Sequence, residues 1–547
     1  MPSTGTLDKQ VISDLELDKL ASVLSLKTSW GKDEFYNGLL TYSASIREIK
    51  QRQLPLLALR NQPVIREAIS EILGTIKPDI IDDSISVKDS RIVDSVSQVL
   101  WKPDSFGSFL NSSPTVLNFI ITWKTIILPG FAVLMPLIAV IVPFFVLRYV
   151  NPSKPLETGE YLERVKSVVL QQISIPSFLK SRGETDRIGF MLESLFIGLT
   201  LAMFISSLWN QITASMNLRN VWNDLALRGQ ELQHLRTSAK QILDRMTALP
   251  LRNVKGLKYL ISEGEAVLEQ CKGLEGLNNV STFGTVWNSN KCIHGLKAWI
   301  GKVDVIVAIA SLPGICFPKP CAEPCLELVD LVHPLCKPCV SNNFSSSSHT
   351  ILTGPNRGGK STFCKATGLA VVTAQTWGFA WASAMSWSPY KVILTALEPY
   401  GKLGEYSTFE AEIDFAKSVL EIADRPAFIM MDEIFHSTNA TDGLAASSVF
   451  LGQLYKKTGI VSIVSTHYRQ LAEQFAKEAI PLYMVAEDKE HGKLSYSYKV
   501  AAGISDKSSV MEILYERGLI SDPSDPSEPG TARHNGVVGP AAVKAPI

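Results

Sequence analysis

The sequence predicts an α/β domain over residues 316–520, preceded by an all-α region that a two-segment apolar insertion interrupts. Three observations carry this reading. Short apolar strands alternate with helices over 316–520, the pattern of a sheet covered by helices. Apolar residues recur at helical spacing over 1–113 and 215–315. Over 114–214 two runs without a charged residue stand close together. Composition agrees with several folded units. At 547 residues the chain is too long for one core, and its 46% apolar content excludes general disorder. Lys+Arg 53 balances Asp+Glu 53, which argues against a strongly basic nucleic-acid binder but leaves room for a local basic surface. Charged residues make up 19%, below the usual ~25%, which points to a segment held away from water.

Residues 1–113 read as the first helical part. Leu17, Leu20, Ala21 and Leu24 make one apolar stripe, and Ile65, Ala68, Ile69 and Ile72 make another. Pro63 stands just before the second stripe, at a helix start, where its missing N–H costs nothing. Residues 215–315 read as the second helical part. There Leu225, Leu232, Leu235, Ala239, Ile242, Met246 and Leu249 step by 7, 3, 4, 3, 4 and 3 residues, a heptad-like seam ending at Pro250. A helix packed within a bundle accounts for the seam without an intermolecular coiled coil.

The insertion, 114–214, carries the apolar runs. From Thr125 to Leu147, 23 consecutive residues are uncharged, bracketed by Lys124 and Arg148. At 1.5 Å per residue such a run crosses a hydrocarbon core of ~30 Å. Pro129, Pro136 and Pro143 recur every seven residues and predict repeated kinks. The second run, Ser194 to Leu208, has 15 uncharged residues, continues as helix through Ile212, and has Glu193 at its start. The expectation is a multi-pass membrane chain with spans at 125–147 and 194–212 and both termini on one side; the competing reading is two buried core helices. Lys and Arg flank the runs too evenly to set an orientation. The N-terminus is polar and acidic, without a signal-peptide core. Residues 521–547, rich in Pro, Gly and Ser, predict a disordered tail of the kind that binds partners.

Three motifs carry chemistry. HTILTGPNRGGKSTF fits G-x-x-x-x-G-K-[ST], the phosphate-binding loop of P-loop NTPases, between a strand at Thr350–Thr353 and a helix from Ser361. In such a loop the backbone amides of Gly354, Pro355, Asn356, Arg357, Gly358 and Gly359 turn around phosphate oxygens (Pro355 itself lacking an N–H), with Thr362 following. Lys360 is expected on the β/γ-phosphates and Ser361 on Mg²⁺. Downstream, the apolar strand Phe428–Met431 delivers Asp432 and Glu433 to its C-terminal end, where ligands bind in parallel sheets. Asp432 is expected in the Mg²⁺ shell and Glu433 as general base on the attacking water. The strand Ile460–Val464 leads to Thr466 and His467, and a histidine placed there can bond the γ-phosphate or the attacking water. Arg357 adds a charge to the loop, either touching the γ-phosphate or a partner acid, or simply pointing outward.

Eight cysteines do not make a disulfide scaffold in a chain of this length. Cys321, Cys325, Cys336 and Cys339 read C-x3-C-x10-C-x2-C, a spacing that tetrahedral Zn²⁺ accepts. The competing reading is a reduced, Pro-rich loop leading into the α/β domain.

These residues resemble the MutS family of DNA mismatch repair proteins. TGPNRGGKST is similar to that family's TGPNMGGKST, with Arg357 in place of Met; MMDEI and STHY resemble its acidic-pair strand and its threonine–histidine segment. GEYSTFEAEI (404–413) resembles G-x-STF-x-x-E, and FHSTNATDG (435–443) stands where the family has GRGTSTxDG. There Thr438, Asp442 and Gly443 match, whereas Phe435, His436 and Ser437 depart. KVAAGISDKSS (499–509), KVDVIVAIASL (302–312) and HP (333–334) resemble further family landmarks; His-Pro lies inside the cysteine cluster, and the family has no zinc there.

The resemblance implies a MutS/ABC-type ATPase domain over 316–520, using ATP and Mg²⁺, on lever helices at 1–113 and 215–315. It implies a homodimer in which Ser407, with Thr438 and Asp442, reaches the partner's nucleotide, and it leaves DNA as a partner. The family's mismatch-reading domain is not evident, and the apolar segments stand where its DNA clamp interrupts the lever. The leading expectation is therefore a membrane-associated MutS-like ATPase, its ATPase domain in an ATP-containing compartment. The alternatives are a repair or recombination factor binding mismatched or branched DNA, a transport-assembly ATPase, for which the LSGGQ signature is missing, and a scaffold without turnover, which the intact Asp432–Glu433 pair opposes.

Overall fold

The computed structural model describes residues 4–86, 90–150, 157–161, 163, 186–250, 252, 255–397, 408–422, 425–489 and 493–519. Ser407 and the tail 521–547 lie outside the described residues. The chain divides into two compact units, one made of 1–74, 244–263 and 298–547, the other of 75–243 and 264–297. These divisions differ from those expected at 113, 214 and 315, because the N-terminal segment buries its apolar residues in the α/β core.

In the first unit, β1 (Thr4–Thr6) pairs antiparallel with β2 (Thr41–Ser43). A small sheet follows, built from β3 (Lys319–Pro320), β4 (Leu326–Leu331), β5 (Asn342–Ser346) and β7 (Ala384–Trp387) in the order β3-β7-β4-β5. The main sheet holds β6 (His349–Thr353), β8 (Val392–Ala396), β9 (Ala427–Asp432), β10 (Ile460–Ser465), β11 (Ile480–Asp488) and β12 (Leu494–Ala502), ordered β12-β11-β6-β10-β9-β8. All neighbours run parallel except β11 and β12. β6 and β10 are buried along their whole length, as near-continuous apolar runs in a covered parallel sheet should be. Their C-terminal ends, with that of β9, carry the three motifs to one edge.

The helix Lys360–Thr376 packs beneath this sheet and against the N-terminal segment. Leu15, Leu17 and Leu20 share one core with Leu369 and Val372 of that helix and with Val305 and Ile309 of the helix Lys291–Ser311. The expected stripe at Leu17–Leu24 is a 3₁₀ helix, Leu17–Val23, rather than an α-helix. A Cβ on Gly368 would meet the side-chain ends of Met430 of β9 at 2.7 Å and Leu15 at 2.8 Å, so a larger residue here would force those side chains to shift. The far end of the helix is tied down by polar contacts. Arg52 donates to the carbonyls of Thr376 at 2.6 Å and Gln375 at 3.2 Å, satisfying terminal acceptors that the helix itself leaves open. Buried Gln53 donates to Gly378 and Pro318. Asp304, also buried, accepts from the backbone N–H groups of Lys27 and Thr28 and from the Thr28 hydroxyl; burial raises its pKa against those bonds.

The second unit is helical. The helix Asp186–Thr247 runs 62 residues, about 90 Å at the α-helical rise. Its expected seam is buried: Leu225, Leu232, Leu235, Ala239 and Ile242 are each 1% exposed or less. Helix is continuous from Pro114–Thr122 through a π-turn at Trp123–Ile127 into Leu128–Val150. Pro129 cannot donate to the carbonyl of Thr125, and the Ser215 hydroxyl donates to that oxygen at 2.8 Å instead.

The membrane expectation is met in part. Among the described residues one helical stretch, Pro114–Met135, is long and apolar enough to cross a bilayer, and it overlaps the first expected span, 125–147. No second such stretch is found among the described residues; in the run expected at 194–212 several side chains lie outside them. Helix runs through that segment and on into the polar stretch that carries the seam.

Candidate nucleotide-binding site

The loop between β6 and the helix Lys360–Thr376 folds as its glycines require. Gly354 has φ +147° and Gly359 φ +95°, conformations that L side chains rarely adopt. Arg357 also lies at positive φ, as do Glu433 and Phe435 beyond β9, so backbone strain gathers at this edge. Lys360 is buried, 5% exposed, and its Nζ donates to the carbonyls of Gly354 at 3.0 Å and Pro355 at 3.4 Å. Burial pushes its pKa down, with Glu433 and Asp432 opposing the shift.

Ser361 Oγ donates to Asp432 Oδ2 at 2.6 Å. Asp432 Oδ1 is buried and has no hydrogen-bond partner. A buried carboxylate oxygen left open beside a hydroxyl is a donor set that fits Mg²⁺, which takes hard oxygen ligands. Glu433 follows one residue later, and its N–H donates to the carbonyl of Ser465 at 3.0 Å, fixing the turn after β9 against the end of β10. Its carboxylate pairs with His467 Nε2. That bond holds the Glu433 pKa below the ordinary carboxylate value. His467 Nε2 also lies 3.4 Å from Lys360 Nζ. The structure brings Lys360, Ser361, Asp432, Glu433 and His467 together at the strand ends.

The other expected residues are placed as follows: Arg357, Cys336 and Cys339 line the same cleft as Lys360. Arg357 pairs with Glu516 of the helix Val510–Glu516, an acid of its own chain. Thr438 and Asp442 lie in the loop and first turn around the helix Ala440–Leu454, where Asp442 and Asn439 cap one another. Cys321, Cys325, Cys336 and Cys339 do not gather into a zinc site: among the described residues no group of three or more His, Cys, Asp or Glu side chains is placed to hold a metal. The intervening β4 separates the first pair from the second.

A cleft of about 580 Å³ opens at the loop, lined by Lys360, Ser361 and Glu433 on one side and by Phe363, Met484 and Tyr498 on another. Met484 and Tyr498 come from the antiparallel β11–β12 pair and carry no motif that sequence reading could find. Glu412 was also missed as a site residue: it is buried, accepts from Ser437 Oγ at 2.8 Å and pairs with His436 at 3.0 Å, holding the loop after Glu433. Its place in the STF-x-x-E segment was the available signal.

The geometry is that of a glycine-bearing loop beside an acidic pair and a histidine, and the same stretch carries the similarity to known proteins. Residues 350–520 match MutS domain V, an ATPase domain. The chain is 28% identical over 249 residues to DNA mismatch repair protein Msh6 of Gallus gallus, covering 38% of this chain and 18% of that one. It is 28% identical over 177 residues to DNA mismatch repair protein MutS of Lactobacillus acidophilus, covering 32% and 21%. With MutS of Streptococcus mutans the identity is 27% over 187 residues, covering 34% and 22%. The matches thus span about a fifth of the length of these relatives. All three motifs fall inside the MutS domain V match, which begins within β6.

Proposed function

We propose that this chain is a Mg²⁺-dependent ATPase that hydrolyses ATP to ADP and phosphate in a site completed by a second copy, and that turnover moves its long helices at a membrane. The observation that carries the ATPase reading is the convergence of Ser361, Asp432 and its open oxygen, Lys360, and the Glu433–His467 pair on one loop.

The geometry supports the following roles. Lys360 leaves the loop carbonyls it now contacts and takes the β/γ-phosphate oxygens. Ser361 and Asp432 hold Mg²⁺, which supplies charge neutralisation on the phosphates when bound. Glu433, whose carboxylate form the His467 bond stabilises, accepts the proton of the attacking water. His467 stands between that base and Lys360, where it reads the γ-phosphate. The family resemblance assigns Ser407, Thr438 and Asp442 to the partner's nucleotide, which makes a homodimer the working unit. Wild-type chain should hydrolyse ATP only with Mg²⁺, and a chain that binds no nucleotide would reject this reading.

Membrane association rests on the helix Pro114–Met135, where Phe119, Ile126, Phe131 and Leu134 expose about half of their surface or more. Carbonate extraction tests it: the chain should stay in the pellet. A second reading, binding of mismatched or branched DNA, is supported by the similarity to mismatch repair proteins and predicts salt-sensitive binding by the solubilised chain. A pellet without DNA affinity favours the first reading, and a soluble chain with DNA affinity favours the second.

A further inference from the structure

The four-cysteine zinc pattern resolves into separate pairs, and one of them sits in the nucleotide cleft. Cys336 and Cys339 both line the cleft that Lys360, Ser361 and Glu433 line. They read Cys336-Lys337-Pro338-Cys339, a C-x-x-C of the kind that serves thiol–disulfide exchange in a reducing compartment. Both are half-buried free thiols, so a small reagent entering the cleft can reach them. The turn that presents them is ordered by its own bonds: the N–H of Cys336 donates to the carbonyl of His333, the N–H of His333 donates to Cys339 Sγ at 3.2 Å, and Cys336 Sγ donates to the carbonyl of Pro338 at 3.4 Å. Cys339 Sγ donates to the carbonyl of Val340 at 3.7 Å, and burial raises the Cys339 pKa. His333 lines the same cleft, and burial lowers its pKa, which keeps the imidazole neutral at pH 7.

We infer that Cys336 and Cys339 form a redox-sensitive dithiol in the wall of the nucleotide cleft, closed to a disulfide by low-molecular-weight disulfides such as glutathione disulfide and protected by bound nucleotide. The exchange balances. The Cys336 thiolate attacks one sulfur of the disulfide and releases one small thiolate, giving a mixed disulfide. Cys339, losing its proton, then attacks the Cys336 sulfur and releases the second. Two protein thiols and one small disulfide become one intramolecular disulfide and two small thiols. Closing the bond fixes two side chains of the cleft wall in one geometry, and that change of wall shape couples disulfide closure to nucleotide binding. Linkage makes the effect mutual: whatever oxidation does to ATP affinity, ATP does to oxidation.

The inference rests on the ATP reading above, and the experiment separates the two. Reduced full-length protein is incubated with glutathione disulfide, with and without saturating ATP and Mg²⁺, then alkylated and mapped by peptide mass spectrometry, while binding of a fluorescent ATP analogue is followed on the same samples. The expected result is a Cys336–Cys339 disulfide that forms about tenfold more slowly with nucleotide and weakens analogue binding about tenfold, reversed by dithiothreitol. The C336S/C339S chain should show no change of affinity on adding the disulfide, whatever its starting affinity. Cysteines 336 and 339 that stay reduced or stop at mixed disulfides would overturn the inference. So would a disulfide that forms equally fast with nucleotide and leaves affinity unchanged. Reduced protein that binds no ATP would defeat the nucleotide reading and the proposed coupling, while the peptide map still decides whether the dithiol closes.

Discussion

Glu433 and His467 stand one residue beyond β9 and two beyond β10, and their side chains pair across the ends of these parallel strands. Strand register makes the pairing: Asp432 aligns with Ser465, so the residues that follow each strand emerge side by side. The carboxylate and the imidazole are thus set by the register of the sheet.

The pairing has a consequence for pH. The His467 bond holds Glu433 below its ordinary value of 4.5, so the base is fully ionised at neutral pH. The turnover number should therefore show no acidic limb from Glu433 above pH 4.5; a limb above that value that disappears in a Glu433 variant would contradict the assignment.

Ser361 and Asp432 are expected to act on the metal rather than on the fold. D432N removes the charge facing Mg²⁺ and should lower turnover on the order of 100-fold. The loss should be partly recovered at high Mg²⁺ concentration, with little change in thermal midpoint. Turnover titrated against Mg²⁺ at saturating ATP checks this, and wild-type rates at ordinary Mg²⁺ would remove Asp432 from the site.

Arg52 fastens the N-terminal helix Ile46–Arg60 to the far end of the helix that begins at Lys360. R52A should destabilise the first unit by about 1.5–3 kcal/mol, the range for a hydrogen bond to a charged group. Urea denaturation measures it, and an unchanged midpoint would show that water replaces the guanidinium without cost.

Glu16 joins the same two regions through Lys365, 2.9 Å away. Lys19 and Lys365 hold its carboxyl down at about 2 against an ordinary 4.5. A lowered pKa stabilises the folded chain above the unfolded value and loses that stabilisation as pH falls toward the folded one. E16Q should therefore lower the thermal midpoint at pH 7, and the difference from wild type should narrow from pH 4.5 downward. A difference that stays constant from pH 7 to pH 3.5 would rule out this linkage.

Much of the site was legible because motif spacing and strand ends coincide. The strands expected at Thr350–Thr353, Phe428–Met431 and Ile460–Val464 are each present with at most two added residues. The wall made by Met484 and Tyr498 was not legible, since it depends on β11 and β12 folding back beside β6. Nor was the burial of Leu15 and Leu17 in the α/β core, because periodicity shows that a face is apolar without naming what covers it.

The proposed membrane association rests on the exposed face of the helix Pro114–Met135. F131D places a charge within that face, at a cost of roughly 2.5–3.5 kcal/mol if it lies mid-bilayer, and should release the chain from carbonate-washed membranes. Release of the wild type as readily as the variant would remove the membrane from the account.

The most direct test of the central claim is single-turnover hydrolysis by wild type and E433Q with ATP and Mg²⁺, with bound nucleotide identified after rapid separation. Loss of general-base catalysis typically costs about 10²–10⁴-fold, so wild type should yield ADP and phosphate while E433Q retains ATP unhydrolysed on the protein. Equal single-turnover rates for the two chains, or no ATP retained by either, would contradict the account.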